Sequence, residues 1–374
     1  MLWSTCQNRE SAASLLIGPI QPFREVQVLA RVSLCPDGMR QVLPAINGLF
    51  VWALATGRLF GCASTPMPDP AESPAALQMF AAAARSPQDP NLVALGRLLF
   101  HDNRLSKNRE VSCATCHVLT NYGIDGKVVS TGFAGRQGTR NAPTVFNAAD
   151  HIAQFWDGRA PDVESQAAGP ITNPSEMAMP NEQAVVDVLS DVPRYVEMFH
   201  TAFPKDEHPI SLRNVGDAIG AFERGLVTTS RWDKFLAGDR GALTQNEKKG
   251  LRLFMQRGCL ACHQGPEVGG ASFQKVGIAY PWPNQSDEGR AGVTHFPGDK
   301  MVFKVPSLKN VGRTAPYFHD GSTTSLETAI KLMGHHELGI ELPSDEVSAI
   351  AAWMRSMTGE PDPAYIAAPQ LPPG

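Results

Sequence analysis

The chain reads Cys-Ala-Thr-Cys-His at residues 113–117 and Cys-Leu-Ala-Cys-His at residues 259–263. Cys-x-x-Cys-His is the attachment motif of c-type haem, in which both thiols bond to one porphyrin and the histidine ligates its iron. The alternative is a zinc site, because paired cysteines also bind zinc. Zinc ribbons place their cysteine pairs much closer together, and zinc does not require a histidine directly after each second cysteine. The repeated motif therefore predicts two covalently bound haem c groups.

Each motif assigns three residues to one haem. The residues expected to attach the porphyrins or ligate the irons are Cys113, Cys116, His117, Cys259, Cys262 and His263. The opposite face of each iron separates electron transfer from catalysis, because a thioether there blocks the iron while an open face admits peroxide. The candidates for that position after the second motif are His295, Met301, His319, Met333, His335 and His336. Spacing alone does not choose among them, since a methionine can equally be a core residue.

The composition is that of a folded globular protein. The chain has 374 residues, of which 43% are hydrophobic and 19% are charged, and this length suits about two domains. The net charge of −4 does not favour nucleic acid as a partner. With 33 glycines and 30 prolines, the chain should contain extensive loops. The cysteines outside the motifs, Cys6, Cys35 and Cys62, all precede the globular region, so a disulfide framework is not expected.

Residues 1–63 are interpreted as an upstream extension followed by a signal-like segment. Met39 opens a short basic stretch, an apolar run covers residues 42–56, and small residues follow, which is the layout of a secretory signal. The run is shorter than the about 20 residues that span a bilayer. Met1 and Met39 both stay open as the start, and the lipobox-like sequence that ends at Cys62 leaves a lipid anchor open. Export to the periplasm suits the motifs, because c-type haem is attached outside the bacterial inner membrane.

Local signals predict a mainly α chain. Helices are expected from Asp89-Pro90 onward, over residues 211–228, from the capping box at Thr244 to near Gly258, and from Pro343-Ser344 to Gly359. Residues 118–175 and 264–320 are rich in Gly and Pro and should form ordered loops with short elements. Long alternating strands are not predicted.

From about residue 85 to residue 360, the chain resembles the bacterial dihaem cytochrome c peroxidases and their MauG-like relatives. The segments that match in order and spacing are Leu-Gly-Arg-Leu-Leu-Phe at 95–100, Arg-Asn-Ala-Pro-Thr at 140–144, Phe-Trp-Asp-Gly-Arg-Ala at 155–160, Gly-Pro-Ile at 169–171, Asn-Pro at 173–174, Glu-Met at 176–177, Lys-Val-Pro-Ser-Leu-Lys-Asn-Val at 304–311 and Thr-Ala-Pro-Tyr-Phe-His-Asp-Gly at 314–321. The match covers nearly the whole region after the signal-like segment.

This resemblance implies two cytochrome c-like haem domains joined by long ordered loops. The haem at His117 would be the peroxidatic one, and the haem at His263 would transfer electrons with Met333 as its second axial ligand. The expected division is an extension and signal-like segment at 1–63, a linker at 64–84, a peroxidatic domain at 85–235, an electron-transfer domain at 236–362 and a loose tail at 363–374.

The resemblance also implies roles around the first haem. Glu176 matches the acid–base group that moves a proton between the peroxide oxygens, a task that a carboxyl group can perform. Gln166 and Phe155 match residues that line the same pocket, and Trp156 matches a tryptophan between the two haems. A buried aromatic residue is also a good core residue, and both roles can hold together for Trp156.

A calcium site is implied between the two haem domains. Asn141, Thr314 and Pro316 match the residues that hold it in the family. Amide and carbonyl oxygens are ligands that Ca²⁺ prefers. We therefore expect calcium in addition to the two haems.

One position departs from the family pattern. Many members place a histidine before the Asn-Ala-Pro-Thr segment, and that histidine caps the peroxidatic haem until the other haem is reduced. Phe133 aligns with it here, and phenylalanine cannot ligate iron. His101 and His151 are the remaining upstream histidines near this region, and neither lies in the matching motif. The resemblance therefore leaves the reductive-activation switch open.

Taken as expectation, the chain is a periplasmic dihaem cytochrome c peroxidase that reduces H₂O₂ to water. Its electrons would come from a small donor protein, a cytochrome c or a cupredoxin, and a homodimer stays open. A MauG-like oxidase acting on a protein substrate is the first alternative, but that group has tyrosine where Met333 stands. A dihaem electron carrier without catalysis is the second alternative, and Glu176 with Gln166 argues against it.

Overall fold

The computed structural model describes residues 73–82 and 85–373. The expected signal-like segment, the choice of start and the lipid anchor at Cys62 lie outside the described residues. Within the described ranges, no helix is both long enough and apolar enough to cross a bilayer.

Helices dominate the described chain. Thirteen of them are α-helices, at Pro74–Leu77 (α1), Pro90–His101 (α2), Cys113–Cys116 (α3), Val163–Thr172 (α4), Glu182–Ser190 (α5), Pro193–Ala202 (α6), Leu212–Glu223 (α7), Arg231–Leu236 (α8), Gln245–Gln256 (α9), Ala291–Thr294 (α10), Leu326–Leu338 (α11), Ser344–Ser356 (α12) and Pro363–Ile366 (α13). The strands are short and lie at Thr229–Ser230 (β1), Phe273–Lys275 (β2), Val302–Lys304 (β3) and Gly359–Glu360 (β4). They form two antiparallel pairs, β1 with β4 and β2 with β3. The prediction of a mainly α fold is confirmed.

The first core lies where α2 crosses α7. Leu95, Leu99 and Phe222 are fully buried there. Burial of such side chains contributes roughly 1.5–3 kcal/mol each. Gly96 brings the two helices together, because a Cβ atom at this position would lie 1.8 Å from the carbonyl oxygen of Ala218. This crossing fixes the direction in which the chain leaves α2 toward the first Cys-x-x-Cys-His motif.

The second core repeats this solution where α9 crosses α12. Gly250 would place a Cβ atom 2.0 Å from the carbonyl oxygen of Ala349. Trp353 on α12 packs edge-to-face on Trp232, with ring centroids 5.4 Å apart. Each haem motif therefore follows a helix that is held by a glycine against a later helix.

The predicted helix starts are confirmed by their caps. Asp89 accepts a hydrogen bond from the backbone N of Asn91, and Ser211 accepts one from the backbone N of Asn214. Thr244 and Glu247 form the expected capping box. Two predicted ends are wrong. The helix expected to reach residue 228 stops at Glu223, and the last predicted helix stops at Ser356, before Gly359, which instead pairs in β4.

The loose tail expected at residues 363–374 is a wrong prediction for residues 363–373. Tyr365 stacks on Phe222 at 5.1 Å between ring centroids, and its hydroxyl donates to the carbonyl oxygen of Phe222. Arg97 donates to the carbonyl oxygens of Ala364 and Ala367. These contacts hold the tail against the first core.

The linker expected at residues 64–84 is only partly described, and the described part is packed. Leu77 and Phe80 are buried in the second core, and Phe80 meets Trp232 edge-to-face at 5.3 Å. Residues 77 and 80 therefore belong to the folded region. The domain division at residues 85–235 and 236–362 stays a prediction.

Candidate functional site

The first cavity contains the first haem motif. It is an open-sided cleft with about 1270 Å³ between its walls, including its mouth. The expected site residues that line it are Cys113, Cys116, His117, Phe155, Trp156, Gln166 and Glu176. All residues expected around the first haem are therefore brought to one cleft.

His117 is oriented by a backbone carbonyl. Its Nδ1 lies 3.2 Å from the carbonyl oxygen of Gly123, to which a neutral imidazole donates its N–H. Burial lowers the pKa of His117 below its ordinary value, which favours the neutral ring. Gly123 has φ +72°, so its carbonyl reaches this position from a backbone conformation that suits glycine. Nε2 is left as an acceptor for a metal ion, and the N–H contact fixes the tautomer.

Glu176 is held by the loop that follows α4. Its Oε1 accepts a hydrogen bond from Asn173 Nδ2 at 2.7 Å, and its backbone N donates to the carbonyl oxygen of Asn173 at 3.0 Å. The carbonyl oxygen of Glu176 accepts from the backbone N of Phe133 at 2.7 Å. Gly132 makes this approach possible, because a Cβ atom there would lie 2.2 Å from the carbonyl oxygen of Ser175. The carboxyl group is thus fixed in the cleft.

Burial raises the pKa of Glu176 above its ordinary value, while the charge of Arg159 and the hydrogen bond from Asn173 oppose the shift. Arg159 is placed by Phe155, whose ring centroid lies 3.4 Å from the guanidinium carbon, and by Asp157. A carboxyl group with a raised pKa holds its proton to a higher pH than an ordinary glutamate does, which suits a group that both accepts and releases a proton. Gln166 adds an amide from α4 to the same cleft.

The second cavity contains the second haem motif and is larger and more apolar. It has about 1810 Å³ between its walls, including its mouth. The expected residues that line it are Cys259, Cys262, His263, Met333, Asn141, Thr314 and Pro316. Its other walls come mainly from α11 and from residues 274–276 and 303–308, with Phe254 of α9 and Ile350 and Met354 of α12.

His263 repeats the arrangement at His117. Its Nδ1 lies 3.3 Å from the carbonyl oxygen of Val268, and burial lowers its pKa to about 4. The ring is therefore neutral near pH 7, and Nε2 is again left as an acceptor. Phe254 on α9 packs beside it at 6.1 Å between ring centroids.

The structure separates the six candidates for the second axial position. Met333 and His319 line the second cavity, whereas His295, Met301, His335 and His336 do not. His319 is stacked on Phe303 at 4.3 Å and its backbone carbonyl accepts from Asn141, so it is held in a packed aromatic group. Met333 lies on α11 and is half-buried. Its assignment as an iron ligand stays a prediction, now with one structural competitor.

One segment forms a wall of both cavities. Residues 141–144 and Trp156 line the first cavity and the second. Trp156 Nε1 donates to the carbonyl oxygen of Asn141 at 2.9 Å, and its own carbonyl accepts from the backbone N of Lys304. Trp156 is therefore held in the partition between the two cavities.

The three expected calcium ligands lie in the wall of one cavity. Asn141, Thr314 and Pro316 all line the second cavity. The side-chain N of Asn141 donates to the carbonyl oxygen of Lys127 at 2.8 Å, which leaves the side-chain oxygen as an acceptor. Calcium itself stays a prediction.

The residue aligned with the capping histidine does not face the first cavity. The Phe133 ring packs between cations, with Lys107 Nζ at 5.6 Å and the guanidinium carbon of Arg136 at 5.7 Å from its centroid. His101 does not line the first cavity either, and His151 lines the second. In the described part of the chain, His117 is the one histidine that lines the first cavity.

The residues present fit two haems. Each cavity contains two free thiols and a histidine whose Nδ1 is engaged and whose Nε2 is available. Burial raises the pKa of Cys259 to about 11 and that of Cys113 still further, so the thiols are neutral. Zinc binds thiolates in closed tetrahedral sets. Among the described residues no three His, Cys, Asp or Glu side chains converge into a metal-binding group, and the zinc alternative therefore has no site.

Among the charged residues that line these cavities in the described part of the chain, sequence reasoning missed the two that are buried, Glu223 and Lys304. Glu223 lines the first cavity with 4% of its surface exposed, and burial raises its pKa to about 8. Its signal was available, since it lies four residues after Ile219 on the buried stripe of α7. Lys304 lines the second cavity with 7% exposed. Nothing in the local sequence marks Lys304, because its burial depends on residues 151–153.

Comparison with known proteins agrees with this geometry. The family model for di-haem cytochrome c peroxidase matches residues 90–241. The cytochrome c551 peroxidase of Nitrosomonas europaea is 45% identical over 293 residues, covering 78% of this chain and 86% of that protein. The cytochrome c551 peroxidase of Pseudomonas aeruginosa is 44% identical over 272 residues, covering 71% of this chain and 78% of that protein.

A solved structure gives the same result for the fold. A MauG-like protein associated with microbial copper homeostasis superposes with a TM-score of 0.66 at 30% sequence identity, covering 78% of this chain and 96% of that chain. Identity above 40% over most of both chains, together with the two haem motifs, leaves one assignment. The chain belongs to the family of dihaem cytochrome c peroxidases and MauG-like proteins.

Proposed function

We propose that this protein is a dihaem peroxidase that reduces H₂O₂ to two molecules of water, using two protons and two electrons from a small donor protein. The observation that carries the proposal is the difference between the two cavities. The first places Glu176 and Gln166 in the cleft of His117, whereas the second combines His263 with Met333 and has mainly apolar walls. Proton chemistry suits the first cavity, and electron transfer suits the second.

The haems supply the redox chemistry when bound, the first at His117 and the second at His263. Glu176 would take a proton at its carboxylate from the peroxide oxygen nearer the iron and release it to the leaving oxygen. Asn173 holds one carboxylate oxygen in place, so that rotation of the group is restricted. The charge of Arg159 favours the ionised form of Glu176 and so opposes the rise in its pKa that burial causes.

Electrons would enter at the second site and pass the partition at Trp156. The indole is fixed by its hydrogen bond to Asn141 and packs edge-to-face on Phe303 at 6.5 Å. A fixed aromatic group that lines both cavities would offer the electron a π system between the two sites. The donor is proposed to be a small cytochrome c or cupredoxin.

The proposal also covers the cofactors and the location of the protein. We propose covalent haem c at both motifs, calcium at Asn141, Thr314 and Pro316, and a periplasmic location. Covalent attachment is supported by the four free thiols in the cavity walls.

The test is steady-state turnover of H₂O₂ by the purified holoprotein with a reduced small cytochrome c or cupredoxin. Turnover should require both haems, and a pyridine haemochrome assay should give two haem c groups per chain. Loss of the first haem in Cys113→Ala should abolish turnover. A wild-type protein with two haems and no turnover with either class of donor would contradict the proposal.

A MauG-like oxidation of a protein substrate is the second candidate function. Its support is the match to a MauG-like protein of known structure at 30% identity. The thioether of Met333 in the second cavity argues against it, because that group carries tyrosine there. Replacement of Met333 by tyrosine would shift the protein toward that chemistry if this difference is decisive.

A further inference from the structure

Lys304 is a buried cation without a counter-ion. It lies on β3 with 7% of its surface exposed, and it lines the second cavity. Its Nζ donates to the carbonyl oxygen of Ala153 at 2.8 Å and to Nδ1 of His151 at 3.1 Å. An ammonium group has three donors, so one remains beyond these two contacts. Within the described residues, no carboxylate lies within ion-pair distance of Lys304.

Lys309 is another buried lysine of this chain, and it has a counter-ion. It is 4% exposed, and its ammonium group pairs directly with the carboxylate of Asp233. Burial of an unpaired ammonium is costly, because the lost hydration is not replaced. The burial of Lys304 accordingly lowers its pKa to about 8, and the group is still mostly charged at pH 7. A negative group is therefore missing from the surroundings of Lys304.

His151 adds a second unpaired donor at this place. Since Lys304 can only donate, Nδ1 of His151 must accept, and the proton of the neutral ring lies on Nε2. Burial and the neighbouring charge of Lys304 lower the pKa of His151 to about 3, which keeps the ring neutral. Its Nε2 is buried and has no hydrogen-bond partner. His151 lines the same cavity as Lys304.

Haem is the cofactor that fits this cavity, and it carries two propionate carboxylates. We propose that Lys304 is the counter-ion of a haem carboxylate at the second site and that its charge raises the reduction potential of that haem. The inference rests on the proposed function only in requiring a haem at His263. Reduction removes one positive charge from the iron site, so a nearby fixed cation favours the reduced form.

The test compares one-electron reduction potentials in Lys304→Gln and in wild-type holoprotein. Glutamine keeps a donor for the carbonyl oxygen of Ala153 but removes the charge. The equilibrium constant for reducing the second haem should fall about tenfold, equivalent to about 59 mV for one electron. Lys275→Gln is the matched control, because Lys275 lines the same cavity but is exposed, and its charge is screened by solvent. In Lys275→Gln, the equilibrium constant for reducing the second haem should change less than about twofold. In Lys304→Gln, the same limit should hold for the first haem.

Resonance Raman spectroscopy gives a readout that a purely structural lysine would not move. The propionate-bending band of the second haem should shift in Lys304→Gln and stay in place in Lys275→Gln. Lys304→Met serves as a second uncharged variant, and Lys304→Arg should restore the potential because it restores the charge. If neither uncharged variant folds, Lys304→Arg decides through the Raman band, which must move when the donor changes.

Two results would overturn the inference. One is an uncharged variant that folds, binds both haems and keeps both potentials. The other is a Lys304→Arg protein whose second potential falls as far as that of Lys304→Gln, which would assign the effect to packing. A wild-type protein with fewer than two haems would instead contradict the proposed function.

Discussion

Replacement of Glu176 by glutamine separates its chemistry from its structural role. The carboxyl group accepts one hydrogen bond, from Asn173 Nδ2 at 2.7 Å, and a glutamine carbonyl can accept the same bond. The backbone contacts of residue 176 to Asn173 and Phe133 do not involve the side chain. Both haems and the loop should therefore be retained in Glu176→Gln, while the proton can no longer be held at this position.

The size of the loss follows from the role. A positioned acid–base group contributes roughly 10²- to 10⁴-fold to a rate. Since each tenfold step is about 1.36 kcal/mol, the expected increase in the activation free energy is about 3–5 kcal/mol. Burial raises the pKa of Glu176, so its ionised form is lost at a higher pH than for an ordinary glutamate as the solution is acidified. The acid limb of the rate profile should lie correspondingly high in the wild type and disappear in the variant.

The assay is kcat/KM for H₂O₂ with a reduced small donor in excess, measured across pH with haem content checked for each protein. Glu182→Gln is the matched control, since Glu182 accepts a backbone hydrogen bond from Leu212 at 3.0 Å and does not line the first cavity. It should keep wild-type turnover. A fully loaded Glu176→Gln protein within about twofold of wild type would refute the assigned role.

Three further predictions concern the two cavities. Met333→His should lower the reduction potential of the second haem by at least about 0.1 V, a modest part of the about 0.8 V that axial ligands span. An unchanged potential in a redox titration would mean that another residue is the ligand. Because Phe133 packs outside the first cavity, the oxidised protein should give a high-spin ferric electron paramagnetic resonance signal and turn over H₂O₂ without a lag; an all-low-spin spectrum that becomes high-spin only after one-electron reduction would contradict this. Glu223 has a pKa of about 8 in the folded protein against 4.5 ordinarily, so the unfolded chain releases this proton first and stability falls as pH rises through that window. Glu223→Gln should remove this loss, which is on the order of a few kcal/mol near pH 8. Denaturant unfolding at pH 5 and pH 8 measures it, and the same stability difference between variant and wild type at both pH values would contradict it.

Local sequence was sufficient for the residues whose chemistry is local. The motifs predicted His117 and His263 because attachment depends on residues within five positions. Glu176 could be selected only through the resemblance, since a single carboxylate in a loop has no signal of its own. Met333 was a candidate ligand whose helix was not predicted, because the apolar residues of α11 do not follow a clear helical period. The competition with His319 needed the cavity itself.

The errors came from contacts between distant parts of the chain. The tail looked loose by composition, but Tyr365 packs on Phe222 across more than a hundred residues of sequence. Lys304 is buried beside Ala153, to whose carbonyl oxygen it donates a hydrogen bond, and neither segment alone predicts that contact. Charged residues in buried positions are read as surface residues when each segment is taken alone.

The shared partition also has a consequence for maturation. Residues 141–144 and Trp156 form a wall of both cavities. The carbonyl oxygen of Tyr122 accepts a hydrogen bond from the Thr144 hydroxyl, and the backbone N–H of Lys304 donates to the carbonyl oxygen of Trp156, so this wall is held at two points. Packing of one porphyrin against this wall would further stabilise a surface that the other porphyrin also needs. A chain loaded at one motif should accept its second cofactor more readily than an empty chain accepts its first. Half-loaded protein should accordingly be scarce during biosynthesis.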